Sequence, residues 1–257
     1  MDIIGTMKRE VFLLIILLSL ACGSRKLSET DKFRVLAVDA AKIGTLQRLT
    51  DDDRSIYPIF GSGDTIVYFQ RFLLPEIADT FAYFSDETVK PYAVNISNGQ
   101  LYTLDGKVDF PSNRVIEVSD LPERSGEETV WGVASPDSGT FAFETIPDGG
   151  KTHLIYLARG NSIRQLSFGN IPCFLDRFSN TGRFLTAIYG TGPTWILIFD
   201  LKANLIFRIE RPENDNVSID YLTSFSPDDR MMLFIRSDKK YRLEQDYFGD
   251  IWLLRFN

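Results

Sequence analysis

The chain has 257 residues, 44% of them hydrophobic and 13% aromatic, enough to bury the core of an all-β domain. A formal net charge of −7 argues against a phosphate-backbone partner, so no nucleic acid is expected. Two cysteines exclude a disulfide framework, and a single histidine, His153, excludes a His-pair metal site.

Met7-Lys8-Arg9-Glu10 is a short basic start, and Val11 to Leu20 is a compact apolar run. That run is shorter than the roughly 20 residues that span a bilayer and fits the h-region of a secretory signal. Met1 to Thr6 add nothing to such a signal, so Met1 and Met7 both stand as candidate starts. The run ends Leu18-Ser19-Leu20-Ala21-Cys22. A small residue directly before a cysteine resembles the lipobox of bacterial lipoproteins, although Ser19 stands where that family usually has Leu. The resemblance implies a signal peptide over residues 1–21, lipidation of Cys22 as the mature N-terminus, and a polar tether over 22–32. It implies a membrane-anchored lipoprotein of the bacterial cell envelope. The plainer alternative is an ordinary signal peptide with an incidental cysteine. Cys173, beside Phe174 in an apolar strand, reads as a buried, inert thiol.

From Phe33 to Asn257 the chain reads as strands separated by turns, with no amphipathic helix. Phe33–Val38 and Thr45–Leu49 form a first pair. A unit then runs through Ile56–Phe60, Thr65–Gln70, Pro91–Ile96 and Gln100–Leu104. A second has Val130–Ala134, the turn Ser135-Pro136-Asp137-Ser138-Gly139, Thr140–Thr145 and His153–Leu157. A third has Phe174–Phe178, the turn Ser179-Asn180-Thr181-Gly182, Arg183–Tyr189 and Thr194–Asp200. The fourth has the turn Ser226-Pro227-Asp228-Asp229, a strand over Met231–Ile235 apolar on both faces, and Gly249–Leu254. Pro227 presets the φ of a type I turn, and the aspartates suit its remaining positions. Ser135, Ser179 and Ser226 mark the same turn at separations of 44 and 47 residues, near the period of one four-stranded propeller blade.

Ser226-Pro227-Asp228-Asp229, Ser135-Pro136-Asp137 and Gly249-Asp250-Ile251-Trp252 resemble the TolB-type β-propeller repeat, the Pro-Asp relative of WD repeats. The strand ends Arg48-Leu49-Thr50 and Gln165-Leu166-Ser167 fit the same pattern. The resemblance covers about Thr45 to the C-terminus and implies a propeller that binds proteins or peptides in the envelope, with no catalytic residues. The expected fold is therefore all-β: a β-propeller of four-stranded antiparallel blades, with four repeats visible. Trp195 and Trp252 fall at matching positions of the third strand, where wide rings can fill the wedge between blades. The last unit lacks an outermost strand, which Thr45–Leu49 could supply. Phe33–Val38 is then left over, so a fifth blade stays open.

Little in the chain carries chemistry, and no cofactor fingerprint occurs. There is no G-x-S-x-G elbow. Asp51-Asp52-Asp53 lacks calcium-loop spacing, and Gly61-Ser62-Gly63 and Gly190-Thr191-Gly192 precede no helix. Catalytic and metal residues are therefore assigned to none. Strand parity places the long connections Arg71–Lys90, Asp105–Thr129, Glu210–Ile219 and Ser237–Gly249 on one face, opposite the tight turns. Asp105–Thr129 carries seven acidic and three basic residues. The expected partner site combines exposed aromatics Phe72, Phe81, Tyr83 and Phe84 with carboxylates Asp109, Glu117, Asp120 and Glu123. The function so read is a lipid-anchored binding module for a protein or peptide. The alternative is a hydrolase or lyase acting on a glycan through channel carboxylates.

Overall fold

A computed structural model describes residues 34–35, 43–61, 63–73, 89–105, 108, 120–167, 172–190, 193–209, 218–243 and 246–257, with the side chains of 34, 35 and 238–247 excepted. Four four-stranded antiparallel blades account for sixteen of its seventeen strands. Blade 1 is β3 (Ser55–Phe60), β4 (Ile66–Phe72), β5 (Val89–Asn95) and β6 (Leu101–Thr103). Blade 2 is β7 (Glu127–Ala134), β8 (Phe141–Pro147), β9 (Leu154–Arg159) and β10 (Ser162–Gln165). Blade 3 is β11 (Cys173–Phe178), β12 (Phe184–Tyr189), β13 (Trp195–Asp200) and β14 (Leu205–Arg208). Blade 4 is β15 (Ile219–Phe225), β16 (Met231–Leu243), β17 (Asp246–Phe256) and, from the start of the chain, β2 (Gly44–Arg48). Thr45–Leu49 thus supplies the missing outer strand, with Arg48 opposite Trp252 and Gly44 opposite Phe256. Among the described residues the leftover strand makes no fifth blade. Its core, β1 (Arg34–Val35), lies parallel to β14 on the outer edge of blade 3.

The blades are copies of one another, and one backbone bond sets their register. Gly61, Ser135, Ser179 and Ser226 each donate an amide to the carbonyl five residues on, at 2.8, 2.8, 2.9 and 2.9 Å. Three residues past that acceptor stand Phe69, Phe143, Ala187 and Phe234, which pair across the sheet with Tyr92, Tyr156, Leu197 and Trp252. Trp252 therefore corresponds to Leu197 and not to Trp195, which pairs with Tyr189 one rung pair away. The expected match of Trp195 with Trp252 is corrected by two residues. Sequence alignment had no fixed point between the turn and the tryptophans, because the second-to-third connections differ in length.

This rung packs each blade against the one before it. Phe234 and the half-buried Trp252 of blade 4 lie in a cluster with Phe184, Ile196 and Ile198 of blade 3. Ala187 and Leu197 of blade 3 join Val133, Ala142 and Ile155 of blade 2. Phe69 and Tyr92 of blade 1 join Leu233, Ile235, Ile251 and Leu253 of blade 4. Phe69, Phe143 and Phe234 are fully buried, each contributing about 2 kcal/mol of apolar burial. In blade 2 the corresponding pair, Phe143 and Tyr156 at 5.4 Å, is covered instead by Leu121 from the segment that precedes β7. Gly132 allows that cover, since a Cβ there would stand 2.6 Å from the Leu121 side chain.

Each innermost strand carries a register shift: Ile56/Ile59, Thr129/Trp131, Leu175/Phe178 and Tyr221/Ser224. Such bulges bend a strand and free backbone amides. Tyr57 and Leu222, at equivalent positions in blades 1 and 4, hold φ of 53° and 52°. For bulky residues that conformation costs roughly 1–3 kcal/mol, and packing must hold it. Among the described residues, α-helix is confined to Ile43.

Candidate functional site

The two faces of the propeller differ in construction. On one face lie the first-to-second turns, and their third residue after the marking Gly or Ser is always at positive φ: Asp64 at 51°, Ser138 at 55°, Gly182 at 75° and Asp229 at 58°. In blades 2 and 4 the serine hydroxyl accepts the amide of the residue five on, Thr140 at 3.0 Å and Met231 at 2.9 Å. The same hydroxyl donates to the aspartate two residues on, Asp137 or Asp228. Those carboxylates also accept the amides of Gly139 and Arg230, each at 3.0 Å. Both carboxyls are held below the ordinary value: Asp137 by the Ser135 hydroxyl above all, Asp228 by the Arg230 amide. The Ser-Pro-Asp motif is therefore a self-capped turn.

The opposite face carries the long connections, and the structure redraws three of them. Ser237–Gly249, expected as a loop, is a hairpin extension of β16 and β17, with Tyr241 opposite Phe248 and Leu243 opposite Asp246. Asp105–Thr129 ends early, because β7 begins at Glu127. Arg71–Lys90 begins late, because β4 continues through Phe72. Phe72 is 4% exposed and packs on Phe248 at 5.3 Å, in a cluster with Ile56 and Val89, so it is not an exposed aromatic. The reason is tertiary: the hairpin extension of blade 4 brings Phe248 over the end of β4. Asp120 and Glu123 are exposed on the segment that carries Leu121. Phe81, Tyr83, Phe84, Asp109, Glu117 and Cys22 lie outside the described residues.

Buried carboxylates between the blades do structural work that the sequence concealed. Glu144, 5% exposed in blade 2, accepts the Leu175 amide at the bulge of β11 at 2.7 Å, and its other oxygen contacts His153 Nδ1. His153 in turn lies 4.6 Å from the Phe174 ring. Asp176, on β11, accepts the Thr186 hydroxyl at 2.9 Å and the Thr223 hydroxyl and amide at the bulge of β15, the amide at 3.3 Å. A carboxylate of one blade thus satisfies an amide freed by the bulge of the next, which avoids the cost of a buried unpaired donor. Asp220 is held by Arg236 through two bonds of 2.7 and 3.0 Å, both residues being buried. Glu127 accepts Thr145 at 2.7 Å and the Tyr156 phenol at 3.0 Å, and pairs with Arg124 at 3.3 Å. Burial, then that bond to Glu127, pushes the Tyr156 phenol to about 12. Cys173 is 1% exposed, and burial with a smaller effect of Glu144 pushes its thiol to about 12, as an inert core thiol requires. No cluster of three metal-ligating side chains occurs among the described residues. Among them also, no helix is long and apolar enough to cross a membrane.

No protein-family model matches the chain, and no curated protein matches it. Among solved structures it is similar to an oligogalacturonate lyase in complex with manganese, at 16% identity and a TM-score of 0.34, over 78% of this chain and 48% of that one. It is similar to TolB from Acinetobacter baumannii at 16% identity and a TM-score of 0.30, over 80% and 45% of the two chains. For a putative TolB from Agrobacterium tumefaciens the values are 15%, 0.36, 82% and 58%. The chain spans about half the length of these structures. At such scores the likeness carries no argument, and the blades themselves carry the assignment. The chain is an all-β, propeller-class protein of four-stranded antiparallel blades.

Proposed function

We propose that the protein is a lipid-anchored propeller of the bacterial cell envelope that holds a protein or peptide partner on its long-connection face. The observation that carries this reading is the asymmetry of the two faces. One is a set of short, capped turns; the other bears a hairpin extension and the ends of the long connections on a rigid scaffold, where binding usually resides. Asp120 and Glu123 are the described candidates for contact, both exposed beside a leucine that fixes their segment to blade 2. The glycan hydrolase or lyase alternative needs carboxylates free to face one substrate, whereas Glu127, Asp176 and Asp220 of the inner strands all have donors of their own.

The test is crosslinking in intact cells, comparing the wild type with Asp120→Lys/Glu123→Lys. The reversal should cut partner capture at least severalfold and leave the melting temperature unchanged. Undiminished capture by the folded variant would remove this segment from the interface. Replacement of the whole stretch 105–129 is the wrong experiment, since it deletes Leu121 and the start of β7.

A further inference from the structure

We infer that the outer rim of blades 2 and 3, on the turn side, is a surface that lies against anionic lipid headgroups. The inference deepens the anchored-propeller reading and rests on it for orientation, though not for the surface itself. Its starting point is charge. The chain as a whole carries a net −7, yet residues 159–208 contain six basic side chains and two acidic ones. Both acids are withdrawn from the surface. Asp200, 2% exposed, is bonded to Arg183 at 2.8 Å, and Asp176 is consumed by the bulge of β15. Among the described residues of this stretch, the charged side chains left exposed on the turn side, Arg159, Arg183 and Lys202, are therefore cationic.

The fold gathers these cations at one edge. Arg159 ends β9, and Arg164 lies on the outer strand β10 beside Ile163, which is 39% exposed. Lys202 sits in the turn from β13 to β14, and Arg183 begins the neighbouring strand pair with about half its side chain exposed. Arg164 donates to Asn204 of that turn at 3.0 Å, so the two blades present one continuous rim. The charged group facing it from the adjoining turn of blade 2 is Asp137, which Arg159 already offsets. Clusters of Lys and Arg beside an apolar residue associate with anionic membranes, so such a patch orients a domain that its lipid already retains.

Strand direction makes the placement independent of charge. β1 runs parallel to β14 with Arg34 opposite Leu205, and β14 starts at the Lys202–Asn204 turn. The chain therefore enters the domain from the turn side, at the basic rim. A lipid on Cys22 would bring this rim to the bilayer and turn the long-connection face away from it. An anionic membrane and a tethered propeller then meet at an edge whose charge permits contact.

The experiment uses the full lipidated chain in vesicles. An environment-sensitive thiol dye is placed at Ser162→Cys, on the rim, or at Glu123→Cys, on the opposite face; native Cys173 is too buried to react. The rim dye should shift to the blue in phosphatidylcholine containing phosphatidylglycerol and not in phosphatidylcholine alone, while the Glu123 dye stays unchanged. Arg159→Glu with Lys202→Glu should abolish the shift without altering the melting curve or retention on vesicles. Equal shifts in both lipid mixtures, or a shift confined to the Glu123 position, would overturn the inference. Fatty-acid labelling that survives Cys22→Ser sinks the anchor and leaves the rim standing. Label lost as expected, with no lipid-dependent shift at the rim, sinks the rim and leaves the anchor.

Discussion

Blades 3 and 4 solve the same turn in different ways. Blade 4 has Asp228 two residues after its marking serine and caps itself. Blade 3 has Thr181 at that position and no acid of its own. Its turn is capped from outside by Asp229 of blade 4, which accepts the Ser179 hydroxyl at 2.5 Å, the Asn180 amide at 2.9 Å and the Thr181 amide at 3.1 Å. Asn180 answers by donating to the carbonyls of Phe225 and Ser226 at 2.9 and 3.0 Å. The paired aspartates of the fourth repeat thus have separate duties, one within the blade and one across to its neighbour. At the same position in blade 3 stands Gly182, where a Cβ would come 3.4 Å from Pro136 of blade 2. Such a distance is ordinary contact, and it is the φ of 75° that calls for glycine there.

The largest effect should follow from breaking the cross-blade cap. Asp229→Gly keeps the positive φ that Asp229 adopts and removes a 5%-exposed carboxylate, leaving the buried Ser179 hydroxyl and the partly buried amides of Asn180 and Thr181 without their acceptor. We expect a loss of about 3 kcal/mol in denaturant unfolding. A loss below about 1 kcal/mol would mean that water replaces the carboxylate freely. Next in size is a repair. Thr181→Asp in the Asp229→Gly background gives blade 3 the internal cap of blades 2 and 4, and should restore about 1 kcal/mol. The same Thr181→Asp change in the wild type places two carboxylates on one set of donors and should destabilise. That opposite sign, read in a double-mutant cycle, sharpens the comparison; additive effects would refute it. The smallest effect belongs to acid. Asp137 and Asp228 have folded pKa values below their unfolded ones, so their contribution is present above about pH 3.9 and fades as pH falls through the lower folded values. Carbon-detected NMR titration should find both titrating below ordinary aspartates. A midpoint at or above 3.9 would dissolve the self-cap.

Much of this was legible in the residues. Turns repeat because their chemistry is local, so Ser135, Ser179 and Ser226 could be aligned without a structure. The outer strand contributed by Thr45–Leu49 followed from counting strands in the last unit. What stayed hidden depends on contacts far apart in sequence. The burial of Phe72 needs Phe248, and the purpose of Glu144 needs a bulge in another blade. Glu144 offers no signal beyond a charge in an apolar strand. The reading of Ser237–Gly249 as a loop failed because Asp238-Lys239-Lys240 and Glu244-Gln245-Asp246 interrupt the apolar run of β16 in the sequence. For the candidate binding face, Asp120 and Glu123 could be judged exposed from composition, and Phe72 could not.

The strand β2 lies against β17, and Thr50 accepts the amide of Ile251 across 201 residues of sequence. Blade 4 is therefore built from two stretches that lie far apart in the sequence. As a chain emerges, β2 waits with its edge unpaired until β17 arrives, and domains with such distant pairings fold slowly and expose sticky edges meanwhile. The fourth blade thus stays incomplete until two strands some two hundred residues apart have met.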